Sequence, residues 1–429
     1  MDGYRANLPD TVRGVKADGL KGAKPAMTDT TADKLHDPGK GRATVMTCGS
    51  AHALHDGLHD ALYVLLPLWS QAFGLSLLQV GILKAAYSGS MAVFQLPAGF
   101  LAERFGERAL LAVGTVIAAL SYVLLGVAGG FTALFVLLLL AGFGSGAQHP
   151  LSSSMVARAY ENGPRRAALG IYNFSGDIGK VVFPAAVALA AGWAGWRAGT
   201  IAVGAIGVAA GLVIYLALRR LGAGSMPDMP PETSKAKVRG WGIQNRLGFQ
   251  AIGAINVVDT VATYGFLTFM PFLLIEKGAG VETVGFAVAL VFCGSAAGKF
   301  LCGFTAERIG IIRTVVLTEI LTGVGFISVL FMPLEAIVIL LPLIGVAMNG
   351  TSSVLYASVA DYVAQDRHSR AFGLFYTLGI GAGALAPPVF GLVSDMAGVP
   401  VAIAAIGLTA FFTLPFCVLL VWSGKAEKN

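Results

Sequence analysis

Apolar residues in this chain occur in long runs rather than in the short alternating stretches typical of a soluble fold. From about residue 49 onward, runs of about 20 residues or more recur, and this is the length that a helix needs to cross a bilayer. Only helices can supply so many spans, because lipid cannot satisfy an open backbone. The pattern predicts an all-α integral membrane protein with twelve transmembrane spans, at residues 49–72, 76–102, 109–128, 131–157, 167–191, 196–218, 248–275, 280–304, 313–332, 335–360, 371–395 and 399–423.

Composition and charge agree with a membrane protein. The chain is 55% hydrophobic and 13% charged, whereas a soluble domain is about 25% charged. Of its thirty Lys and Arg residues, twenty-five lie in the N-terminal segment, in the loops after even-numbered spans or at the C-terminus. This positive-inside asymmetry predicts cytoplasmic termini, in the cell inner membrane. The net charge of +6 then reflects topology, and we expect no nucleic-acid partner. The five exceptions are Lys84, Lys180, Arg197, Lys277 and Lys299.

Two polar stretches divide the chain. The residues before the first span mix both charges with Gly, Thr and Pro, which predicts a disordered cytoplasmic segment. The second stretch, rich in Pro, Ser and charge, suits a linker between two six-helix halves. The predicted organisation is an N-terminal segment 1–45, a first half 46–220, a linker 221–246, a second half 247–423 and a tail 424–429.

The two halves repeat one another at a constant spacing of 204 residues. "GFLAERFG" at 99–106 matches "GFTAERIG" at 303–310, and Pro67 in span 1 matches Pro271 in span 7. Parallel repeats related by an axis along the membrane normal place a substrate site at the centre of many transporters. The repeat therefore predicts two pseudo-symmetric halves around a central cavity.

The loop "GFLAERFGERAL" (99–110) resembles the signature between spans 2 and 3 of the major facilitator superfamily. Glu103 stands where that signature has Asp, and Glu107 stands where it has a basic residue. The resemblance implies the major facilitator fold, working by alternating access. It also implies a gating latch that forms and breaks as the halves rock, in which a carboxylate can sit against the positive end of a neighbouring helix. The predicted gating residues are Gly99, Glu103, Arg104 and Arg108 in the first half and Gly303, Glu307 and Arg308 in the second.

Three stretches resemble the fosmidomycin-resistance branch of that superfamily. They are the pair His52 and Asp56 eleven residues before Pro67, "GFGSGAQHPLSSSMVAR" (142–158) in span 4, and "GIYNFSGDIGKVVFPAA" (170–186) in span 5. The branch contains proton-driven exporters of small toxic compounds, some of them anionic. The resemblance implies a monomeric secondary transporter that exports a small organic compound and confers drug resistance. Leu151, Lys84 and Lys180 depart from the branch pattern and leave the substrate open.

Span 1 carries half of the six histidines of the chain. At about 100° per residue, its ionisable groups fall within roughly 140° of arc. Lipid penalises such groups, so this face must look into the protein or a wet cavity. Histidine titrates near physiological pH and a nearby carboxylate tunes it, which favours a proton relay. The predicted proton-coupling residues are Asp56, His52, His55 and His149, with Asp56 as the main one.

Polar faces of spans 1, 4, 7 and 10 are expected to converge at the axis, because the 204-residue offset relates their polar positions. Together with polar groups of spans 2 and 5, they form the predicted substrate-binding set. This set is His59, Asp60, Tyr63, Lys84, Ser145, Asn173, Asp177, Lys180, Asn256, Asp259, Tyr264, Asn349 and Ser353.

Several alternatives stay open from the residues alone. The span 1 cluster could be a fixed polar network, or it could bind a transition metal in a metal exporter. Lys180 could pair with Asp177, three residues away, or reach the cavity. The carrier could import an organic anion, or the fold could serve a membrane sensor. The chain has no phosphate loop, nucleophile elbow or HExxH motif, so we predict no enzyme activity, no cofactor and no bound metal.

Overall fold

The computed structural model describes residues 38–161, 163–225, 243–363 and 368–426, and these residues are almost entirely helical. Residues from Lys40 onward belong to one compact unit. Within the described residues the α-helices are Pro38–Phe73, Leu77–Phe105, Glu107–Leu125, Phe131–Ser145, Gln148–Ala159, Arg165–Leu221, Arg246–Glu276, Val281–Ile309, Ile311–Ser328, Leu334–Ser358, His368–Ala397, Val399–Phe411 and Thr413–Ala426.

These helices form the twelve spans that the sequence predicts. Spans 4 and 12 are each two consecutive helices, and spans 5 and 6 lie within Arg165–Leu221. They meet at Gly195, whose φ of 81° and ψ of 154° break the helix at a conformation that favours glycine. Ten stretches of the described chain are long and apolar enough to cross a membrane, one of which contains spans 5 and 6. Span 1 falls outside these ten, and its His and Asp residues lower its hydropathy.

Three predicted boundaries need correction. Residues 1–45 were expected to be disordered, but the first helix begins at Pro38; residues 1–37 lie outside the described part. The first and last residues of the predicted linker 221–246 belong to helices: one helix ends at Leu221 and the next begins at Arg246. Residues 226–242 are not described. The predicted tail 424–429 is helical as far as Ala426, and residues 427–429 are not described.

The two halves pack against each other along two helix pairs, span 2 with span 11 and span 5 with span 8. Glycine allows this close approach. A Cβ added to Gly81 of span 2 would lie 2.2 Å from the carbonyl oxygen of Pro387 in span 11, and one on Gly285 of span 8 would lie 2.1 Å from the Cβ of Ala188 in span 5. All these contacts lie near one face, which we call the opposite face, where odd-numbered spans end. The other, the terminal face, carries the helix ends nearest both termini.

The hydrophobic core shows which face is closed. One large cluster combines residues of both halves, including Leu66 and Phe269, towards the opposite face. Towards the terminal face the core divides into two clusters, one formed only by spans 1 to 6 and one only by spans 7 to 12. The halves therefore separate at the terminal face and close at the opposite face.

A carboxylate of one half caps a helix of the other at the opposite face. Asp395 of span 11 accepts hydrogen bonds from the backbone N–H of Leu77 (2.7 Å) and Leu78 (2.9 Å) at the start of span 2. A carboxylate at a helix N-terminus stabilises by about 0.3–1 kcal/mol. We expect Asp395→Asn to weaken closure, raising the population open at the opposite face up to about fivefold.

Distances between spin labels at the opposite-face ends of spans 2 and 11 measure this population. Glu335→Gln is the matched control, because Glu335 is an exposed carboxylate in the first turn of span 10 at the same face. A distance distribution that is unchanged by Asp395→Asn would show that this cap does not hold the face closed.

Candidate functional site

A cavity lies between the two halves. Water reaches it, because the side chains of Lys180 and Lys299, which line it, are 29% and 38% exposed. Its wall combines ionisable, hydroxyl, amide and aromatic groups from both halves. The lining residues are His59, Asp60, Tyr63, Asp177, Lys180, Thr263, Tyr264, Leu267, Phe292, Ser295, Lys299 and Asn349.

Asp56 of span 1 is the centre of a cluster beside this cavity. Its Oδ2 lies 3.2 Å from Nε2 of His52, one turn earlier on the same helix, and 3.4 Å from Nζ of Lys180 in span 5. Its Oδ1 lies 3.5 Å from Nε2 of His149 in span 4. Three of the four predicted proton-coupling residues are therefore in contact, and Lys180 joins them.

The ring of His52 is held in a defined tautomer. Its Nδ1 lies 3.0 Å from the carbonyl oxygen of Tyr172, and the ring stacks on Tyr172 at 4.4 Å. A carbonyl only accepts, so Nδ1 must carry a hydrogen. The Nε2 of a neutral His52 is then an acceptor facing the Asp56 carboxylate, also an acceptor. A hydrogen bond between them requires one further proton, held on either group.

Gly176 of span 5 makes room for this pair. A Cβ at this position would lie 2.7 Å from Nε2 of His52 and 2.9 Å from Oδ2 of Asp56. We expect Gly176→Ala to separate the two groups and to reduce proton-driven transport at least tenfold, because it displaces the proton-binding contact. Gly170→Ala on the same helix is the control, since nothing lies within 4 Å of its added Cβ. Equal transport by both variants in proteoliposomes would contradict the assignment.

Asp177 and Lys180 do not pair with each other. Nζ of Lys299 in span 8 lies 2.6 Å from Oδ1 of Asp177, which joins the two halves, while Lys180 pairs with Asp56 and lines the cavity. The alternative of a pair within span 5 is therefore wrong, because both side chains have partners on facing helices. Lys299, Thr263, Leu267, Phe292 and Ser295 line the cavity but are absent from the predicted substrate-binding set.

A second polar group lies deeper, on the same face of span 1. His59 places Nδ1 at 2.6 Å from Oδ1 of Asp60 and Nε2 at 2.9 Å from Nζ of Lys84. Lys84 is fully buried and its Nζ lies 4.3 Å from the centre of the Tyr63 ring. Lys84 does not line the cavity, but it contacts three residues that do, His59, Tyr63 and Tyr264.

The remaining predicted residues are distributed around the cavity rather than within it. His55 contacts Thr115 and Ser145 through its two ring nitrogens, at 2.9 and 3.2 Å, and not Asp56. Asn256 donates a hydrogen bond to the carbonyl of Phe375. By the 204-residue offset Asn256 is equivalent to His52, and Phe375 is one residue before the equivalent of Tyr172, so this contact corresponds to the His52–Tyr172 contact of the first half. Asp259, Asn173 and Ser353 also lie outside the cavity lining: Asp259 is buried, Asn173 is exposed, and Ser353 bonds within its own helix.

The predicted gating residues lie at the terminal face. Glu103 and Glu307 are exposed, and neither makes an ion pair with another described residue. Arg104 and Arg308 lie over neighbouring phenylalanine rings, and Arg108 donates to the carbonyl of Ala223. Gly99 and Gly303 have no atom within 4 Å of an added Cβ. The latch stays a prediction for the state in which this face is closed.

The Asp56 cluster also offers metal ligands. One ligand atom from each of His52, Asp56 and His149 lies within 4.8 Å of the others. However, the ammonium group of Lys180 lies 3.4 Å from Oδ2 of Asp56. A divalent cation bound to that carboxylate would be repelled by this fixed positive charge. The donor set therefore fits a proton better than a divalent metal.

Comparison with known proteins gives the context of this site. A family model described as Major Facilitator Superfamily matches residues 49–249 and 252–429. The chain is 26% identical to the probable sulfoacetate transporter of Cupriavidus necator over 77% of this chain and 82% of that one. It is 23% identical to the fosmidomycin resistance protein of Escherichia coli over 80% and 84%. The fold is similar, with a TM-score of 0.73 and 17% identity, to a bacterial homologue of the human lysosomal transporter Spinster in an inward-facing, occupied conformation, over 89% of this chain and 96% of that one.

Proposed function

The chain belongs to the major facilitator superfamily, and from that premise we propose that it carries a small organic anion together with a proton. The family and the relatives are transporters rather than enzymes. The observation that carries the proposal is the contact of Asp56 with Lys180 and His52 beside the central cavity. The carboxylate of Asp56 contacts both the Lys180 ammonium group, which an anion can bind, and His52, with which it can share a proton.

Charge balance supports binding of the two ligands together. Around the cavity, three carboxylates are offset by three ammonium groups, so an added anion leaves the site negative. Burial of unbalanced charge is costly. A proton that binds with the anion offsets one of the added negative charges. The six groups are Asp56, Asp60, Asp177, Lys84, Lys180 and Lys299.

Competition for Lys180 supplies the mechanism. An anionic group in the cavity takes the place of the Asp56 carboxylate beside the Lys180 ammonium. Asp56 then loses its cationic partner and takes a proton, shared with Nε2 of His52. When the anion leaves, Asp56 returns to Lys180 and the proton is released. His149, which is partly exposed, offers the route between water and Asp56.

The relatives support an anionic substrate. One of them is named for sulfoacetate and another for resistance to fosmidomycin, and both compounds are small organic anions. The sequence resemblance favours export. Export driven by inward proton movement is an exchange, so the proton and the anion would have to bind at different times. The charge balance of the site favours that they bind together, which under an inward proton gradient gives import. We propose symport, in the cell inner membrane with both termini in the cytoplasm, by a monomer.

Thermal unfolding of the purified protein with a panel of ligands tests the substrate class. A ligand that binds the native state raises the melting temperature, by the equivalent of about 2.7 kcal/mol at 100 times Kd. We expect carboxylates, sulfonates or phosphonates to stabilise, more so below neutral pH than above it. Stabilisation by neutral or cationic compounds or by divalent metals alone would contradict the proposal.

A further inference from the structure

A second group of buried carboxyls lies in the C-terminal half, outside the cavity lining. Asp259 of span 7 and Glu319 of span 9 are 2% and 0% exposed, and their carboxyl groups are in contact. Neither is used by the mechanism above. Glu319 has no counterpart among the predicted site residues.

The carboxyl groups of Asp259 and Glu319 lack the partners that two buried negative charges would require. Both carboxyl oxygens of Glu319 and Oδ1 of Asp259 are buried without a hydrogen bond in the described part of the chain. No Lys, Arg or His of that part forms an ion pair with either residue. Ser352 of span 10 donates its hydroxyl to Oδ2 of Asp259 at 3.0 Å, and the hydroxyl groups of Thr351 and Thr413 lie beside Glu319. Buried carboxyl oxygens without a hydrogen-bond partner, on two neighbouring carboxyl groups, point to a proton or another cation between the two groups.

Among the described residues, the groups that face the pair from spans 10 and 12 are neutral. Span 10 contributes Thr351 and Tyr356, and span 12 contributes Thr413 and Cys417. Two ionised carboxylates side by side in such surroundings repel each other, and one such pair therefore shares a proton. The neighbours supply hydroxyl and thiol groups but no compensating cation.

In the first half of the internal repeat, the two positions equivalent to Asp259 and Glu319 carry different residues. With the offset of 204 residues, Asp259 corresponds to His55 and Glu319 corresponds to Thr115. In the first half these two are in contact, with His55 Nε2 at 2.9 Å from the Thr115 hydroxyl. There the ring has hydroxyl partners on both nitrogens and needs no further ligand. The second half has kept the contact between the two helices and replaced its members by carboxyls.

We propose that Asp259 and Glu319 bind one proton between them at neutral pH, as a second proton-binding site separate from the Asp56 cluster. The proton is covalently bound to one carboxyl group, which donates a hydrogen bond to the other. The site is one helical turn from Thr263 of the cavity wall, so its occupancy can respond to movement of the second half. Binding of this proton stands by itself, whereas its use in transport rests on the function proposed above.

Infrared spectroscopy of the purified protein reads the proton directly, since a protonated carboxyl absorbs apart from carboxylate and amide groups and shifts in D₂O. We expect a protonated carboxyl band at neutral pH in the wild type. The double variant Asp259→Asn with Glu319→Gln should lose it, and Glu335→Gln, which alters an exposed carboxyl, should retain it. Absence of the band from the wild type, or its persistence in the double variant, would overturn the proposal.

Two further measurements keep the proposal testable. If the double variant does not fold, Asp259→Asn alone should retain the band at a shifted frequency, because Glu319 loses its acceptor; an unshifted band would count against the pair. Loss of the wild-type band on adding Na⁺ at constant pH would assign the site to a metal cation instead. All these results are independent of transport, so failure of the proposed symport leaves them unchanged.

Discussion

Replacing Lys180 by Met is expected to weaken binding of an anionic substrate by at least tenfold and to leave binding of a neutral analogue much less affected. A unit charge at about 4 Å contributes roughly 4 kcal/mol at an effective dielectric constant near 20, and one third of that is already about tenfold. The variant also leaves Asp56 without its ammonium partner, which adds repulsion. Isothermal titration with sulfoacetate measures the loss.

Lys277→Met is the matched control for this result. Lys277 also carries an ammonium group, but it lies at the end of span 7, donates to the carbonyls of Leu330 and Met332, and does not line the cavity. We expect it to lower the melting temperature without changing anion affinity. Equal loss of affinity in both variants would show that general destabilisation, and not the cavity charge, is responsible.

Asp56→Asn is expected to abolish transport driven by a pH gradient while counterflow exchange of the anion persists. The amide cannot take up the coupling proton, whereas exchange needs no net proton movement. Because the competing carboxylate is gone, Lys180 is free for the anion. Anion affinity should therefore rise by about tenfold or more, as expected for removal of a charge competitor worth at least 1.4 kcal/mol, and should no longer increase as pH falls.

Counterflow and gradient-driven uptake in the same proteoliposomes separate these two activities. Asp361→Asn is the control, because Asp361 is an exposed carboxylate at the terminal face, and it should retain both. Gradient-driven uptake by Asp56→Asn at the wild-type rate would remove Asp56 from the mechanism. His52→Ala should shift the pH dependence instead, because His52 shares the proton rather than competing for Lys180.

The number of helices and the two halves could be predicted from sequence, because apolar runs are a local property and the 204-residue repeat can be found by aligning the sequence with itself. The Asp56 cluster was predictable for a similar reason. His52 and Asp56 lie one turn apart on a single helix, and His149 follows from the family resemblance. Lys180 was found as a charge out of place, but its partner was not, since i,i+3 spacing within one helix says nothing about side chains on facing helices.

Other parts of the site depend on packing between helices that no spacing reveals. The contact of Lys299 with Asp177 joins residues 122 positions apart in different halves. The contact of Glu319 with Asp259 follows from the repeat offset only once the structure has shown the contact of Thr115 with His55. Which face is closed could not be predicted at all, because the sequence is compatible with every state of an alternating-access cycle.

One proton is proposed to accompany each anion, and proton movement under an anion gradient tests this coupling most directly. Proteoliposomes with equal pH on both sides and a pH-sensitive dye inside are given sulfoacetate outside; its sulfonate stays ionised, so it cannot cross lipid as a neutral acid. Liposomes without protein and liposomes with Asp56→Asn are the controls. We expect the lumen to acidify as the anion enters, in the wild type only. Alkalinisation of the lumen, or anion entry without any pH change, would contradict it.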